Sequence, residues 1–366
     1  MTLHHFVVHG LTPSFFTRKV TGYLDYKGLP WRLQPSIGIN IEARAAGWNG
    51  GIPVVTTPAG ELIWDSTAVI LHLEHLYPIP AVLPADPLLA FLAYVLDDFS
   101  DEWLYRHAVG TRWLYPQNAT SGSWDIAREG SREFPGSIGD THAMVSGAMT
   151  ACLPRLGTTP QNIDAWVAES LMPWQRALAA HVETHGYLLG GRPSLADFAL
   201  FGGNIAHFIN DPLCCAWMEA SATAVVGYTH ALLTPAPGAD KRRPPGEPVF
   251  GDWLAAGALP ESLVALLAET GRHYLPWVAR ATREGSAVVH FEEGDDATIA
   301  TTNFLTGARG ILLARYLAAR SPQLDAVLER AGIRRYFADY TGQATAIPDP
   351  AALPRPDDNQ PFPAGA

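Results

Sequence analysis

The chain has 366 residues, of which 48% are hydrophobic and 17% charged, so it is long enough for two globular domains and a further element. Its formal net charge of −11 argues against non-specific binding to nucleic acid, whose phosphates repel an acidic surface. No window is apolar for long enough to span a bilayer, and the N-terminus lacks the pattern of a secretory signal. Three cysteines without disulfide spacing are typical of a reducing compartment. We therefore expect a cytoplasmic protein without a nucleic-acid or membrane partner.

The first 84 residues alternate strand and helix signals in the order βαβαββα. The predicted elements are strand 3–8 (LHHFVV), helix 14–27, strand 31–35 (WRLQP), helical segment 40–47 (NIEARAAG), strands 53–57 (PVVTT) and 61–64 (ELIW), and helix 65–77. Gly28 ends the first helix, and a Pro-rich run after residue 77 closes the last one. This pattern indicates an α/β domain over residues 1–84.

After Pro87 the strand signals nearly disappear, and residues 88–230 predict an all-helical domain. A Pro- and Gly-rich run at 233–251 separates it from an additional helical extension over residues 250–335. The last residues, 347–366, are Pro-rich and are expected to be disordered or extended.

Three features of the first domain bear on function. Pro53 opens a strand, where it is either an edge-strand residue or part of a cis peptide that leaves the Ile52 backbone free to pair with an extended ligand. Asp65 and Ser66 begin a helix, where they either cap it or bind an anion such as a carboxylate. Ser14 also begins a helix, and its hydroxyl can cap that helix or donate a hydrogen bond to a thiolate.

Together these motifs resemble the glutathione transferase family. The segment "SFFTRKV" is similar to the motif of its first helix, with Ser14 at the position that faces the glutathione sulfur and Phe16 among the expected glutathione-binding residues. A Phe rather than a Pro follows Ser14, which leaves open whether Ser14 or Thr12 faces the sulfur. The segment "GGIPVVTTPAGELIWDSTAVI" is similar to the family's cis-Pro loop and to its acidic-Ser pair. The resemblance covers residues 1 to about 230, and the layout is similar to a long bacterial subgroup that carries a C-terminal extension.

The resemblance implies a thioredoxin-like α/β domain followed by an all-α domain like the C-terminal domain of the family, here with the extra helical extension. In the all-α domain, Ser194 and Asp197 resemble the family's buried capping box and are expected to be structural. The family's second substrate binds between the domains, so the predicted acceptor pocket is lined by Trp103, Tyr105, His107, Arg112 and Trp113. Packing in the core is the alternative for these side chains. Asp97, Asp98, Asp101 and Glu102 are expected to form a solvated acidic face rather than a metal site.

The resemblance implies an enzyme that uses glutathione as a co-substrate and is a detoxification-type transferase. Ser14 would stabilise the thiolate, the backbone at Ile52 and Pro53 would pair with the tripeptide, and Asp65 and Ser66 would hold its γ-glutamyl end. The thiolate would attack a small hydrophobic electrophile in a conjugation, an ether cleavage or a dehalogenation. No ligand set for a metal is apparent, and a homodimer is the family expectation. The alternatives are a non-catalytic binding or scaffolding protein of the same fold and a thiol-disulfide reductase that uses Cys152 or Cys214.

Overall fold

The computed structural model describes residues 4–36, 51–133, 136–233, 251–339 and 344–352. The predicted helical segment 40–47 lies outside the described residues, as do most of the run at 233–251 and the last fourteen residues of the tail. None of the described helices is both long and apolar enough to cross a membrane.

A mixed four-stranded sheet forms the centre of the first domain. Its strands are β1 (Phe6–Gly10), β2 (Trp31–Pro35), β3 (Val54–Thr56) and β4 (Leu62–Trp64), in the spatial order β2-β1-β3-β4. β1 is parallel to β2, and β3 is antiparallel to both β1 and β4. The valines of β1 and β3 are buried, which is typical of a strand covered on both faces.

Two helices accompany this sheet in the described part of the domain, and each follows a strand in the chain. The first, α1 (Phe15–Tyr26), begins after the N-cap Ser14, and Gly28 with a φ of 63° follows its end. The second, α2 (Ser66–Leu76), begins after the N-cap Asp65. The sheet and these helices have the thioredoxin-like arrangement that the resemblance implies.

The second domain is helical throughout its described residues. Its helices are α3 (Pro87–Phe99), α4 (Tyr105–Leu114), α5 (Pro116–Gly130), α6 (Ile138–Leu156), α7 (Ile163–Ala165), α8 (Met172–His185), α9 (Leu195–Gly203), α10 (Pro212–Ser221) and α11 (Thr223–Leu232). One π-helical turn, Ser100–Leu104, joins α3 to α4 in a continuous helical run, and two others precede α8 and follow α9.

The capping pair at the start of α9 forms as predicted. The fully buried Asp197 carboxylate accepts hydrogen bonds from the Ser194 amide (2.7 Å) and the Ser194 hydroxyl (2.6 Å). It also accepts from the Leu188 amide and the Tyr228 hydroxyl. Because all these donors are internal, the pair ties α9 to the preceding loop and to α11.

The C-terminal extension adds five helices and a β-hairpin. Its elements are α12 (Glu261–Thr270), α13 (Tyr274–Glu284), β5 (Ser286–Val289), β6 (Ala297–Ala300), α14 (Asn303–Ala319), α15 (Pro322–Arg330) and α16 (Arg335–Ala338). The sequence predicted helices alone, because the two strands have only four residues each and lie between strongly helical segments.

The extension packs on α3 and continues the hydrophobic core. The Phe91 ring lies 5.7 Å from Tyr316 and 5.3 Å from Phe337, measured between ring centroids. Farther along, the tail has no regular structure at residues 344–349, and the Pro350 carbonyl lies 3.0 Å from His72 Nδ1 on α2. The described part of the tail therefore bonds back to the first domain.

The two domains meet where α1 packs against α9. A Cβ added to Gly202 of α9 would lie 2.4 Å from the Phe15 carbonyl oxygen and 2.9 Å from the backbone nitrogen of Lys19. A Cβ on Gly203 would lie 2.5 Å from the Phe15 ring. The interface is therefore close enough to require glycine on this face of α9.

We expect Gly202→Ala to lower the free energy of unfolding by about 1–3 kcal/mol, because the added methyl meets the backbone of α1 rather than a flexible side chain. Urea unfolding of the full chain measures the change. The matched control is Gly227→Ala in α11, where no atom lies within 4 Å of the added Cβ and alanine should stabilise the helix. Equal effects of the two substitutions would contradict the close approach of α1 and α9.

Candidate active site at the edge of the sheet

The topology brings the predicted ligand-binding residues of the first domain to one edge of the sheet. His9 of β1 pairs with Val54 of β3, and Val54 pairs with Trp64 of β4. Because β3 runs opposite to its two neighbours, the start of β3 and the ends of β1 and β4 lie at the same edge. The segments that follow or precede these three positions carry Ser14, Ile52–Pro53 and Asp65–Ser66.

Ser14 is the N-cap of α1 and is partly exposed. Its Oγ accepts a long hydrogen bond of 3.4 Å from the Thr17 amide. Among the hydrogen bonds between described residues, the Ser14 hydroxyl donates none, so its proton is available to a ligand. Thr12 is exposed, and its amide donates to the Glu129 carboxylate at 2.8 Å. Phe16 is partly buried on the first turn of the same helix.

Asp65 and Ser66 form the start of α2. Asp65 has a φ of 70°, and its Oδ1 accepts hydrogen bonds from the Thr67 amide (3.1 Å) and the Ala68 amide (3.2 Å). A non-glycine residue in this conformation is strained, and such residues cluster at functional sites. No hydrogen bond among the described residues uses the Ser66 hydroxyl, which remains available beside the positive end of the helix.

Ile52 and Pro53 precede β3 at the same edge. The peptide bond between them is cis. Pro53 is buried, whereas Ile52 is partly buried and packs beside Val54 and Trp64. Within the described part of the chain the Ile52 backbone makes no hydrogen bond, which leaves it available to an extended ligand.

A buried ion network connects α1 with the first turn of α2 and with the end of α3. The Lys19 ammonium is fully buried and lies 2.7 Å from Asp97 Oδ1, 2.5 Å from Asp101 Oδ2 and 2.7 Å from the Thr67 hydroxyl. Burial lowers the pKa of Lys19, but the carboxylates of Asp101 and Asp97 outweigh it and hold the pKa above its ordinary value. The network fixes the first turn of α2 against α1 and α3.

The acidic run on α3 is thus not the solvated face that the sequence suggested. Asp97 is 4% exposed and is paired with Lys19, and Asp98 accepts a hydrogen bond from the Tyr274 hydroxyl of the extension. Burial raises the pKa of Asp98 to about 6. The run looked solvated because nothing in a local pattern pairs it with a lysine on α1 or a tyrosine far along the chain.

The residues of the predicted acceptor pocket do not lie together. Tyr105 lies beside the site: its ring centroid is 5.0 Å from that of Phe16 and 5.9 Å from that of Phe15. Trp103 is 1% exposed and packs among Trp166, Tyr274 and Trp277 in the core. Its indole N–H donates to the Ser170 hydroxyl at 2.9 Å.

His107 is also in the core and is fully buried. Its Nδ1 lies 2.9 Å from the Trp103 carbonyl oxygen, and its ring lies 4.9 Å from that of Trp166. Burial lowers the pKa of His107 to about 3, so its ring is neutral at physiological pH. This environment is that of a structural histidine.

Arg112 and Trp113 occupy two different environments. Arg112 is 1% exposed and forms a buried ion pair with Asp211, at 2.8 Å between Nη2 and Oδ1. Its Nη1 donates to the Pro13 carbonyl at 2.7 Å, directly before Ser14. Trp113 packs in a small apolar cluster with Val145 and Leu153 of α6. Of the five predicted acceptor residues, Tyr105 thus lies beside the site segments, next to the predicted glutathione-binding residue Phe16, and Arg112 reaches them through the Pro13 carbonyl.

The sequence did not identify three residues that support the site segments: Lys19 and Glu129 contact them, and Asp211 holds the Arg112 that reaches Pro13. Lys19 carried a usable signal, because it lies four residues after Phe15 and four before Tyr23 on the apolar face of α1. A charge at such a position is buried only with a partner. Glu129 and Asp211 carried none, since their partners are a backbone amide and an arginine distant in sequence.

The cysteines are poorly suited to thiol chemistry. Cys214 is fully buried, and burial raises the pKa of its thiol to about 12. Cys152 is partly buried, its thiol donates to the Met149 carbonyl at 3.0 Å, and burial raises its pKa as well. Thiolate formation is disfavoured at both positions, which gives no support to a reductase that uses either one.

Comparison with known proteins assigns a family to the first domain. Residues 8–81 match the family model described as the glutathione S-transferase N-terminal domain. The chain is also similar to the maleylacetoacetate isomerase of Pseudomonas aeruginosa, with 24% identity over 180 residues, which cover 48% of this chain and 67% of that protein.

Solved structures of low sequence identity are similar to part of this chain. A glutathione S-transferase from Methylobacterium radiotolerans in complex with glutathione sulfonate is 21% identical, with a TM-score of 0.40, and the match covers 62% of this chain and 90% of that one. The beta-etherase LigF from Sphingobium is 17% identical, with a TM-score of 0.42, and the match covers 63% of this chain and 100% of that one.

We expect His107→Gln to reduce the loss of stability in acid. Because the pKa of His107 is about 3 in the folded protein and about 6.5 in the unfolded chain, the unfolded chain binds the proton first. The contribution of His107 is present above about pH 6.5 and is lost as the pH falls toward 3. Between pH 7 and pH 5, the loss of unfolding free energy that His107 causes in the wild type is about 2 kcal/mol.

Urea unfolding at these two pH values measures the difference between wild type and variant. Glutamine can still donate a hydrogen bond to the Trp103 carbonyl but does not titrate. The same fall in unfolding free energy for both proteins would show that His107 accepts a proton in the folded state.

Proposed function

Because the chain belongs to the glutathione S-transferase family through the domain at residues 8–81, we propose that it is a glutathione-dependent enzyme whose site is the edge of the sheet described above. The observation that carries the proposal is the convergence there of two helix N-termini, at Ser14 and Ser66, each with a hydroxyl available to a ligand. Helix N-termini favour negative charge, and glutathione carries a thiolate and carboxylates.

Ser14 is the proposed thiolate ligand. Its hydroxyl proton is available, and the positive end of α1 adds to the stabilisation of a negatively charged sulfur. Thr12 is the poorer candidate, because its backbone is held by Glu129 and it lies outside the helix, before Pro13. A drop of about two units in the pKa of the bound thiol would make it mostly ionised at neutral pH.

The rest of the tripeptide would be held by the other two segments. Ile52, with its backbone available before β3, is the proposed partner for main-chain hydrogen bonds to the cysteinyl unit. Ser66 would bind the γ-glutamyl carboxylate through its hydroxyl and its amide at the helix N-terminus. The Asp65 carboxylate, which uses Oδ1 for the cap, would bind the ammonium group through Oδ2.

The acceptor is proposed to be a small hydrophobic electrophile bound beside Phe16 and Tyr105. These rings lie 5.0 Å apart, and Phe16 follows Ser14 by two residues, so an apolar molecule packed there would be near the sulfur. The thiolate would form a carbon–sulfur bond as a halide or an alkoxide leaves, or would add to an activated alkene. The last class is included because of the 24% identical relative named maleylacetoacetate isomerase.

Calorimetric titration of the full chain with glutathione tests the proposal, followed by a screen of aryl halides, aryl ethers and activated alkenes. Saturable binding together with glutathione-dependent turnover of one class supports an enzyme. Absence of binding at millimolar glutathione would overturn the proposal and favour a non-catalytic protein of the same fold.

We expect Ser14→Ala to lower turnover about a hundredfold while changing the dissociation constant of glutathione little. One lost hydrogen bond to the developing or bound anion accounts for such a factor. The pKa of the bound thiol, followed by the ultraviolet absorbance of the thiolate, should rise by about two units. Thr12→Val is the matched control. A larger loss of turnover in that variant than in Ser14→Ala would assign the contact with the glutathione sulfur to Thr12 instead of Ser14.

We expect Asp65→Asn to weaken glutathione binding about tenfold, or about 1.4 kcal/mol, because it removes the charge that faces the ammonium group. Asparagine remains a good N-cap, so α2 should keep its stability. Asp86→Asn is the matched control: Asp86 caps α3 through the Leu88 and Leu89 amides but is not part of the proposed site. An equal loss of affinity in both variants would contradict the role of Asp65.

A further inference from the structure

The loop that carries Ser14 is held by the helical domain from two directions. Arg112 of α4 donates from Nη1 to the Pro13 carbonyl at 2.7 Å, and Glu129 of α5 accepts from the Thr12 amide at 2.8 Å. Within its own domain, the Ser14 amide donates to the Leu11 carbonyl at 3.1 Å, and Ser14 accepts from the first turn of α1. The bonds at Thr12 and Pro13 therefore join the loop to the second domain.

Arg112 is fixed before it reaches the loop. Its Nε lies 3.1 and 3.0 Å from the two carboxylate oxygens of Asp211, and its Nη2 lies 2.8 Å from Oδ1. Nη2 also donates to the Ala206 carbonyl at the end of the helical run that begins with α9. A Cβ on Gly122 would lie 2.7 Å from Nε, so α5 leaves just enough room for the guanidinium. Such planar, multiple bonding is specific to arginine.

The Pro13 carbonyl is the natural acceptor for this guanidinium. Because Ser14 is the N-cap, the Thr17 amide bonds to the Ser14 hydroxyl and α1 supplies no donor to the carbonyl of Pro13. A buried carbonyl without a donor is costly, and Arg112 provides one. The Pro13 carbonyl belongs to the peptide group between Pro13 and Ser14, so its orientation also sets the position of the Ser14 backbone.

We propose that Arg112 and Glu129 are positioning residues that fix the loop Leu11–Ser14 and so aim the Ser14 hydroxyl at the glutathione sulfur. This inference rests on the proposed function. The charge of Arg112 is balanced by Asp211 at 2.8 Å, so the pair acts on a thiolate through geometry more than through its field. His207, whose ring also faces the guanidinium at 3.5 Å, is neutral because burial and Arg112 lower its pKa to about 4.

The first test is Arg112→Lys, which keeps the charge but cannot bond to Asp211, Ala206 and Pro13 at once. The expected result is a rise of about one unit in the pKa of bound glutathione and a tenfold fall in kcat at neutral pH, with the dissociation constant within about twofold of wild type. A merely structural role would lower the melting temperature without moving the thiol pKa. Arg128→Lys, at an exposed arginine of α5, is the matched control.

The second test is Glu129→Ala, which removes both the charge and the acceptor of the Thr12 amide and which applies also if Arg112→Lys does not fold. Removal of a negative charge near the sulfur would by itself lower the pKa of the bound thiol, whereas loss of the tie to the Thr12 amide should raise it. A rise therefore supports positioning, and a fall or no change overturns it. If wild type does not bind glutathione, or Ser14→Ala leaves the thiol pKa unchanged, it is the proposed function that fails.

Discussion

The close packing of α1 against α9 is the constraint on which the candidate site depends. Two glycines of α9 let the backbone of α1 approach within van der Waals distance, and the Phe15 ring lies over the second of them. This contact sets the position of the first turn of α1, and hence of Ser14, relative to the helical domain. Because protein interiors are close-packed, such an interface has few alternative arrangements. The site edge is thereby rigid on the side of α1.

Buried ion pairs connect the same helices in addition to this packing. Lys19 links α1 to the start of α2 and to α3, and Arg112 links α4 to the loop before α1. Each cation has carboxylate partners at hydrogen-bond distance, so the charges are compensated. A buried pair of this kind adds little net stability, but loss of one partner is costly. The two networks therefore serve mainly to fix one arrangement of the domains around the site.

The C-terminal extension reaches the same networks from the other side of α3. Tyr274 donates to Asp98, next to the Asp97 that pairs with Lys19, and the rings of Tyr316 and Phe337 enclose Phe91. The described part of the tail ends near His72 on α2. The extension thus packs on α3, next to the partners of Lys19, and the described part of the tail contacts the first domain.

The sequence by itself determined the order of the described strands and helices of the first domain, the three segments that meet at one edge of its sheet and the capping pair at Ser194, because these depend on local periodicity, turn residues and helix caps. It did not distinguish a pocket side chain from a core side chain in the aromatic run that crosses from the π-helical turn into α4, since Trp103 and Tyr105 differ only in which neighbours cover them. The sequence also did not predict the hairpin of the extension, because its two four-residue strands lie between segments with strong helical periodicity.

Only the tertiary structure decided how the charges pair. Lys19 with Asp97, Arg112 with Asp211, and Glu129 with the Thr12 amide each join residues that are far apart in the chain. No local pattern encodes such a pairing, because it depends on how close two helices come and on which donors their packing leaves unsatisfied. The chemistry of the site can be recognised in short segments, whereas the geometry that aims it is a property of the folded domains together.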